Sequence, residues 1–311
     1  MGKGIGFGKV ILFGEHFVVY GVPSIVSAID KVTTATIERL DGPSWTLNDR
    51  RQATPGYKEE KLKQQRESID RILKAAGINP TKNPIKITFG GDLVAASGIG
   101  ASAASCTALA RALSEEFNLG LSDERINELA YEGEKGYHGI PSGVDNTAAT
   151  YGGLIWFVRG KPNVIERIEV KEPIEIVMGN TGIVADTVAA VAGVRERKEK
   201  NPEKYDKLFK AAEGLVHDAK KALENFDLKE VGRLMDENHK LLQEIWVSCK
   251  ELDFLVELAR QHGAIGAKMT GGGLGGNMVA LTPGADLQEE VAKAMEKEGF
   301  EVLRTKIGVV S

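Results

Sequence analysis

The stretch from Asp92 to Phe117, DLVAASGIGASAASCTALARALSEEF, sets a run of small residues directly ahead of a helical pattern. Leu109, Ala112, Leu113 and Phe117 recur at spacings of three and four, one face of an α-helix. Ser97-Gly98-Ile99-Gly100-Ala101-Ser102 therefore stands where a loop becomes a helix. Such a junction offers several backbone N–H groups without helical partners, together with the positive end of the helix dipole. Anionic phosphate is the natural guest there. Glycine lets the backbone come close, and the Ser102 hydroxyl is within reach of a phosphate oxygen or its metal. A lone Gly-rich turn is more often a plain loop before a core helix, so the rest of the chain has to decide.

With 311 residues the chain has room for two domains or one large core. Hydrophobic residues at 42% and charged residues at 27% are ordinary for a soluble globular protein. A net charge of −4 gives no support for a nucleic-acid or anionic-membrane partner. The two cysteines, Cys106 and Cys249, make neither a CxxC nor a disulfide framework, and a reducing, cytoplasmic setting fits. The opening MGKGIGFGKVILFG lacks the apolar core of a signal peptide, and no apolar run reaches transmembrane length. Gly6 stands where a myristoylation motif wants Ser or Thr.

Gly4 to Lys9 resembles a nucleotide fingerprint only briefly. A Walker A loop continues into Ser or Thr and a helix, whereas Val10-Ile11-Leu12-Phe13 reads as a buried strand. What remains is a lysine at the start of a strand, then Gly14-Glu15-His16, then a second apolar strand from Phe17 to Tyr20. Further strands are expected at Ile25–Leu40, Pro84–Phe89, Leu154–Val158, Ile174–Met178, Asn277–Leu281 and Glu301–Thr305. Helices are expected at Lys61–Ala76, from Ser122 to about Lys135, and over several amphipathic stretches between Tyr205 and His262. Pro43–Tyr57 and Gly136–Asn146 read as loops, the second carrying acids at both ends, Glu134 and Asp145. A Gly cluster, Gly271 to Gly276, follows Lys268-Met269-Thr270. His138, His217, His239 and His262 have no metal-ligand spacing and read as solvated or capping residues.

Taken together, three stretches in order resemble the GHMP kinase superfamily: Gly8 to His16, Ser97 to Ala104, and Lys268 to Leu281. Within it the chain looks most like the mevalonate kinase family. GKVILFGEHFVVYG (Gly8–Gly21), HGIPSGVDN (His138–Asn146) and the segment from Gly179 through Thr187 to Arg195 carry that likeness. The chain departs from the pattern at Ala101, where a second serine is usual, and at Leu274 and Asn277. It departs again at Ala185, where many relatives have an arginine near the substrate carboxylate.

The resemblance implies a two-domain α/β (α+β) fold. A ribosomal-protein-S5-like N-terminal domain (1–153) would bind ATP, and a ferredoxin-like C-terminal domain (154–311) would bind the substrate, with the active site in a cleft. It implies ATP-dependent phosphorylation of mevalonate at its 5-hydroxyl. Gly98, Ile99, Gly100, Ala101, Ser102 and Ala103 would cradle the phosphates, and Ser102 and Glu134 would hold Mg²⁺. Asp145 would act as general base with Lys9 beside it, stabilising the charge that develops in transfer. Glu15, His16 and Thr187 would contact mevalonate, and Trp45 to Tyr57 is a candidate for the adenine side. Subunit number is left open, a homodimer included.

Two other readings stand beside this one. The chain could act on another small alcohol such as phosphomevalonate, homoserine or a sugar, against which the GEHFVV opening and the few basic residues near the expected pocket argue. Or it could be a non-catalytic ATP-binding regulator on this fold, which would have no need of a base such as Asp145.

Overall fold

Two units divide the chain in the computed structural model, which describes residues 1–53, 56–95 and 98–309. The first unit takes Met1–Lys9 and Ala28–Gly152; the second takes Val10–Ser27 and Gly153–Val310. Ser97, which opens the second family-like stretch, lies outside the described residues.

The first unit takes most of β1 (Gly2–Phe13) and β2 (Ser24–Arg39), whose residues 10–13 and 24–27 belong to the second, and β3 (Thr46–Asp49), α1 (Tyr57–Ala75), β4 (Ile85–Gly91), α2 (Ala101–Glu116), α3 (Asp123–His138) and α4 (Val144–Tyr151). β3 runs parallel to β4, and β4 runs antiparallel to β2 with Ile37 opposite Ile87 and Ala35 opposite Phe89. Those residues pack on Ile69, Ile72 and Leu73 of α1 and on Leu109 and Leu113 of α2. The glycines of β1 have a packing purpose. A Cβ at Gly2, Gly4 or Gly6 would stand 2.2, 2.2 or 2.1 Å from the carbonyl oxygen of Ala112, Ala108 or Ala104. Period two on the strand meets period four on the helix, so small residues on both sides let β1 lie directly on α2. What looked like a fragment of a nucleotide loop is a strand pressed against a helix.

In the second unit the elements are β5 (Leu154–Val158), β6 (Val164–Ile168), β7 (Ile174–Asn180), α5 (Thr187–Lys200), α6 (Pro202–Glu224), α7 (Leu228–Glu244), α8 (Lys250–Gln261), β8 (Gly266–Thr270), β9 (Asn277–Leu281), α9 (Ala285–Lys297) and β10 (Glu301–Ile307). β10, β7, β9 and β8 are antiparallel neighbours in that order. Val177, Met269, Met278 and Ala280 from these strands bury against Leu252, Leu255, Val291 and Met295 of α8 and α9. Ser24–Ser27 pairs with β5, and β5 with β6.

Several local expectations are corrected. Phe17–Tyr20 is a short 3-10 helix rather than a strand, closed by Gly21 in the left-handed region (φ +88°). Its Phe17 and Tyr20 rings pack on Phe209 of α6 at 5.2 and 4.8 Å, so burial of aromatic side chains sets its place. Lys9 lies inside β1, not at its start, because the glycine-rich run before it is already strand. The Pro43–Tyr57 loop contains β3, and the Gly136–Asn146 loop ends inside α4. Val10–Ser27 lies with the second unit although it precedes residue 153. The cause is visible in its bonds: Ser24–Ser27 forms a ladder with β5, and Ile11 O accepts from Thr270 Oγ1. No helix among the described residues is long and apolar enough to cross a membrane.

Candidate active site

In the first unit, β1 carries Lys9 to the start of α2. The Lys9 N–H donates to the Ile99 carbonyl (2.8 Å), and Gly98 and Gly100 take φ of +73° and +79°, a conformation glycine adopts without strain. Gly100 caps α2, so Ala101, Ser102 and Ala103 form its first turn, where N–H groups have no partner within the helix. Lys9 Nζ lies 3.2 Å from Asp145 Oδ2. Asp145 is in the first turn of α4, whose N-cap Gly143 is also left-handed (φ +91°). The Lys9 side chain is buried while Asp145 stays partly open to solvent.

Glu134 projects from the last turns of α3 into the same region and is 2% exposed. Burial, reinforced by the charge of Asp145, raises its pKa to about 8, against the opposing effect of a hydrogen bond with Ser102 and the charge of Lys9. A carboxyl so placed is short of positive charge. His138, one turn further along α3, lies 3.8 Å from Glu134 Oε2 and 3.5 Å from Ser102 Oγ. His138 is exposed at the end of α3, as expected, and its spacing of four from Glu134 puts its ring on the Glu134 side of that helix.

Residues of the Trp45–Tyr57 stretch, and others that sequence reasoning did not single out, flank this group. Arg51 is buried, grips Asp49 through Nε (3.0 Å) and Nη2 (2.6 Å), and reaches the Ala101 carbonyl through Nη1 (3.3 Å). Lys58 Nζ donates to the carbonyls of Asp49 and Arg51, and with Tyr57, Lys61 and Tyr137 it lines a cleft beside Ala101 and Ser102. Trp45, by contrast, is a core residue whose Nε1 donates to Asp70. Thr54 and Pro55, in the stretch suggested for adenine, lie outside the described residues.

The second unit gathers another group. Gly14 (φ +90°) and His16 (φ +60°) turn the chain after β1, and a Cβ on Gly14 would stand 2.4 Å from the Pro23 carbonyl oxygen. His16 Nε2 donates to the Gly272 carbonyl (2.9 Å), which fixes the tautomer and leaves Nδ1 as an acceptor. That Nδ1 is buried with no partner among the described residues. Burial lowers the His16 pKa to about 4, so the ring is neutral. Gly272 also meets Thr187, whose Oγ1 lies 2.2 Å from where a Cβ would be. Thr187 opens α5 behind the capping residue Asp186, which accepts from Ala189 N. Glu15, expected to contact the substrate, is 1% exposed and bonded to the buried Lys268 Nζ. His239, expected at the surface, is buried between Asp253 (3.1 Å) and the Met269 N–H (3.2 Å), because α7 lies on β8 at that point.

Comparison with known proteins gives these groups a context. The GHMP kinases N terminal domain matches residues 64–153, and the GHMP kinases C terminal domain matches residues 219–301. The mevalonate kinase of Pyrococcus furiosus is 37% identical over 322 residues, covering 96% of this chain and 94% of its own. That of Pyrococcus abyssi is 35% identical over 321 residues, covering 96% and 93%. The crystal structure of L. major mevalonate kinase in complex with R-mevalonate matches at a TM-score of 0.93 and 40% identity, over 99% of this chain and 96% of that one. The chain belongs to the GHMP kinase superfamily, and the relatives it matches nearly end to end are mevalonate kinases.

Proposed function

We infer that the chain is an ATP-dependent kinase that phosphorylates mevalonate at its 5-hydroxyl. The observation that carries this is similarity to mevalonate kinases along almost the whole chain, including one bound to R-mevalonate. The Lys9–Asp145 pair close to the start of α2 supports it independently.

In this reading the first unit is an S5-like ATP-binding domain and the second a ferredoxin-like substrate domain, in a cytoplasmic enzyme. The first turn of α2, with Gly98 and Ile99 ahead of it, receives the triphosphate on its free N–H groups. The donor set fits Mg²⁺. Ser102 and Glu134 would supply two oxygens, Glu134 is buried beside a second carboxylate, Asp145, and no cluster of three or more His, Cys, Asp or Glu ligands occurs among the described residues. Mg²⁺ accepts few protein oxygens and fills its shell from phosphate and water. Its contribution is to neutralise phosphate charge.

Asp145 receives the proton of the 5-hydroxyl as that oxygen bonds to the γ-phosphorus and the bond to the bridging oxygen of ADP breaks. Lys9 holds the carboxylate in place and offers positive charge to the oxygens that gain it. His16 Nδ1 accepts a hydrogen bond from a substrate hydroxyl, and the Thr187 hydroxyl contacts the same molecule. With Ala185 contributing no cation, the substrate carboxylate depends on other groups.

A coupled ADP-release assay on mevalonate, phosphomevalonate, homoserine and galactose tests the assignment. Mevalonate should give the largest kcat/KM; a larger value for any other acceptor overturns it.

A further inference from the structure

We propose that Lys268 is a positioning residue: by pairing with Glu15 inside the second unit, it fixes the turn from which His16 meets the substrate. The proposal rests on the mevalonate kinase reading for its kinetic test and on geometry for everything else.

Three alternate residues of one short segment reach back to the end of β1 and the turn that follows it. Lys268 Nζ bonds Glu15 Oε1 and the Met269 carbonyl (2.7 Å), Thr270 Oγ1 donates to the Ile11 carbonyl (2.8 Å), and the Gly272 carbonyl accepts from His16 Nε2 (2.9 Å). Successive side chains of a strand point to opposite faces, so residues 268 and 270 share one face of β8, and the strand's line continues into Gly272. The turn they reach is strained. His16 has a side chain in a backbone region that disfavours one, and such a conformation persists where its surroundings over-determine it.

Of the three contacts only Lys268–Glu15 places a charge of each sign in the interior, both side chains being fully inaccessible. Desolvation makes a buried ion pair weak evidence for stability, while removal of one partner is severe. An apolar pair would fill the space equally well. What the ion pair adds is direction: an ammonium also bonded to Met269 O admits the Glu15 carboxylate from one side, and Glu15 is joined to His16 by a single peptide link.

Two variants test this, Glu15→Gln and Glu15→Gln/Lys268→Met, the second keeping the bulk while removing both buried charges. Each is assayed for ADP release and examined by long-range ¹H–¹⁵N spectra of the His16 ring. The expected result is a KM for mevalonate raised by about tenfold or more, with KM for ATP and the cooperativity of thermal unfolding kept. The His16 Nε2–H signal should also lose the shift of its bond to Gly272. A KM for mevalonate within about twofold of wild type in the folded double variant overturns the proposal. So do His16 signals that superimpose on wild type in both variants, whatever the kinetics. If wild-type protein fails to phosphorylate mevalonate, the functional reading falls on its own, and the His16 signals still decide the role of Lys268. If the double variant does not fold, Glu15→Gln alone carries both readouts.

Discussion

A Cβ on Gly100 would stand 2.6 Å from Lys9 Cγ, so the cap of α2 and the lysine paired with Asp145 compete for one space. The proposed phosphate-binding loop and the proposed base are therefore mechanically linked through a side chain. Gly100→Ala should push Lys9 away from Asp145 and force alanine into the left-handed region, at a cost of about 1–2 kcal/mol. We expect kcat to fall about tenfold or more, in addition to a lowered Tm. Chemical denaturation and steady-state kinetics measure the two effects separately; a normal kcat would show that Lys9 tolerates displacement.

Glu134 makes the metal-free protein sensitive to pH. Its folded pKa of about 8 lies above the ordinary carboxylate value of 4.5, so the folded state holds more protons between those limits. Stability from this group is fully present below pH 4.5 and is lost as pH rises through 8. Melting curves taken without Mg²⁺ over this range should decline in wild type and decline less in Glu134→Gln. The same variant should need more Mg²⁺ for half-maximal rate. Parallel pH profiles for the two proteins would remove Glu134 from both roles.

Asp145→Asn keeps the shape of the side chain and can still bond to a hydroxyl, yet it cannot take the proton. General-base catalysis is worth about 10²–10⁴-fold, and kcat should drop by that order while ATP binding, followed by calorimetry, survives. A loss of only a few-fold would mean that Asp145 orients the hydroxyl and the proton leaves by another route.

His239 provides the contrasting case of a histidine with a purely structural place. It accepts from the Met269 N–H and bonds Asp253, so His239→Leu should cost about 1–3 kcal/mol and leave both KM values unchanged. Burial lowers the pKa of His239 and of His16 to about 4 each, beneath the ordinary 6.5. The stability these neutral rings confer is present above pH 6.5 and is lost as pH falls through 4. Acid denaturation of His239→Leu should therefore be shallower across that window, measured by circular dichroism.

How much of this could be read from the chain depends on whether the cause is local. The loop-to-helix step at Gly100 was legible because small residues and a 3.6-residue period are written in adjacent positions. The helix α4 was not, because Gly139, Pro141 and Gly143 give the segment the composition of a loop until Val144. Phe17-Val18-Val19-Tyr20 has the β-rich composition of a strand, and tertiary packing on Phe209 overrode it. Lys9 and Asp145 are 3.2 Å apart in space and far apart in sequence, so no periodicity could join them; only resemblance suggested it. The Glu15–Lys268 pair was not legible either, since the two residues lie far apart in the chain and neither neighbourhood names the other.

The excursion of Val10–Ser27 out of the first unit has a consequence for anyone taking the molecule apart. A gene cut between Gly152 and Gly153 would yield an upstream fragment carrying a stretch that belongs to the other body. The downstream fragment would lack Glu15, His16 and the edge that pairs with β5. Modularity here is spatial, not linear. A separable C-terminal body needs Val10–Ser27 grafted back by a new linker, in the manner of a circular permutant.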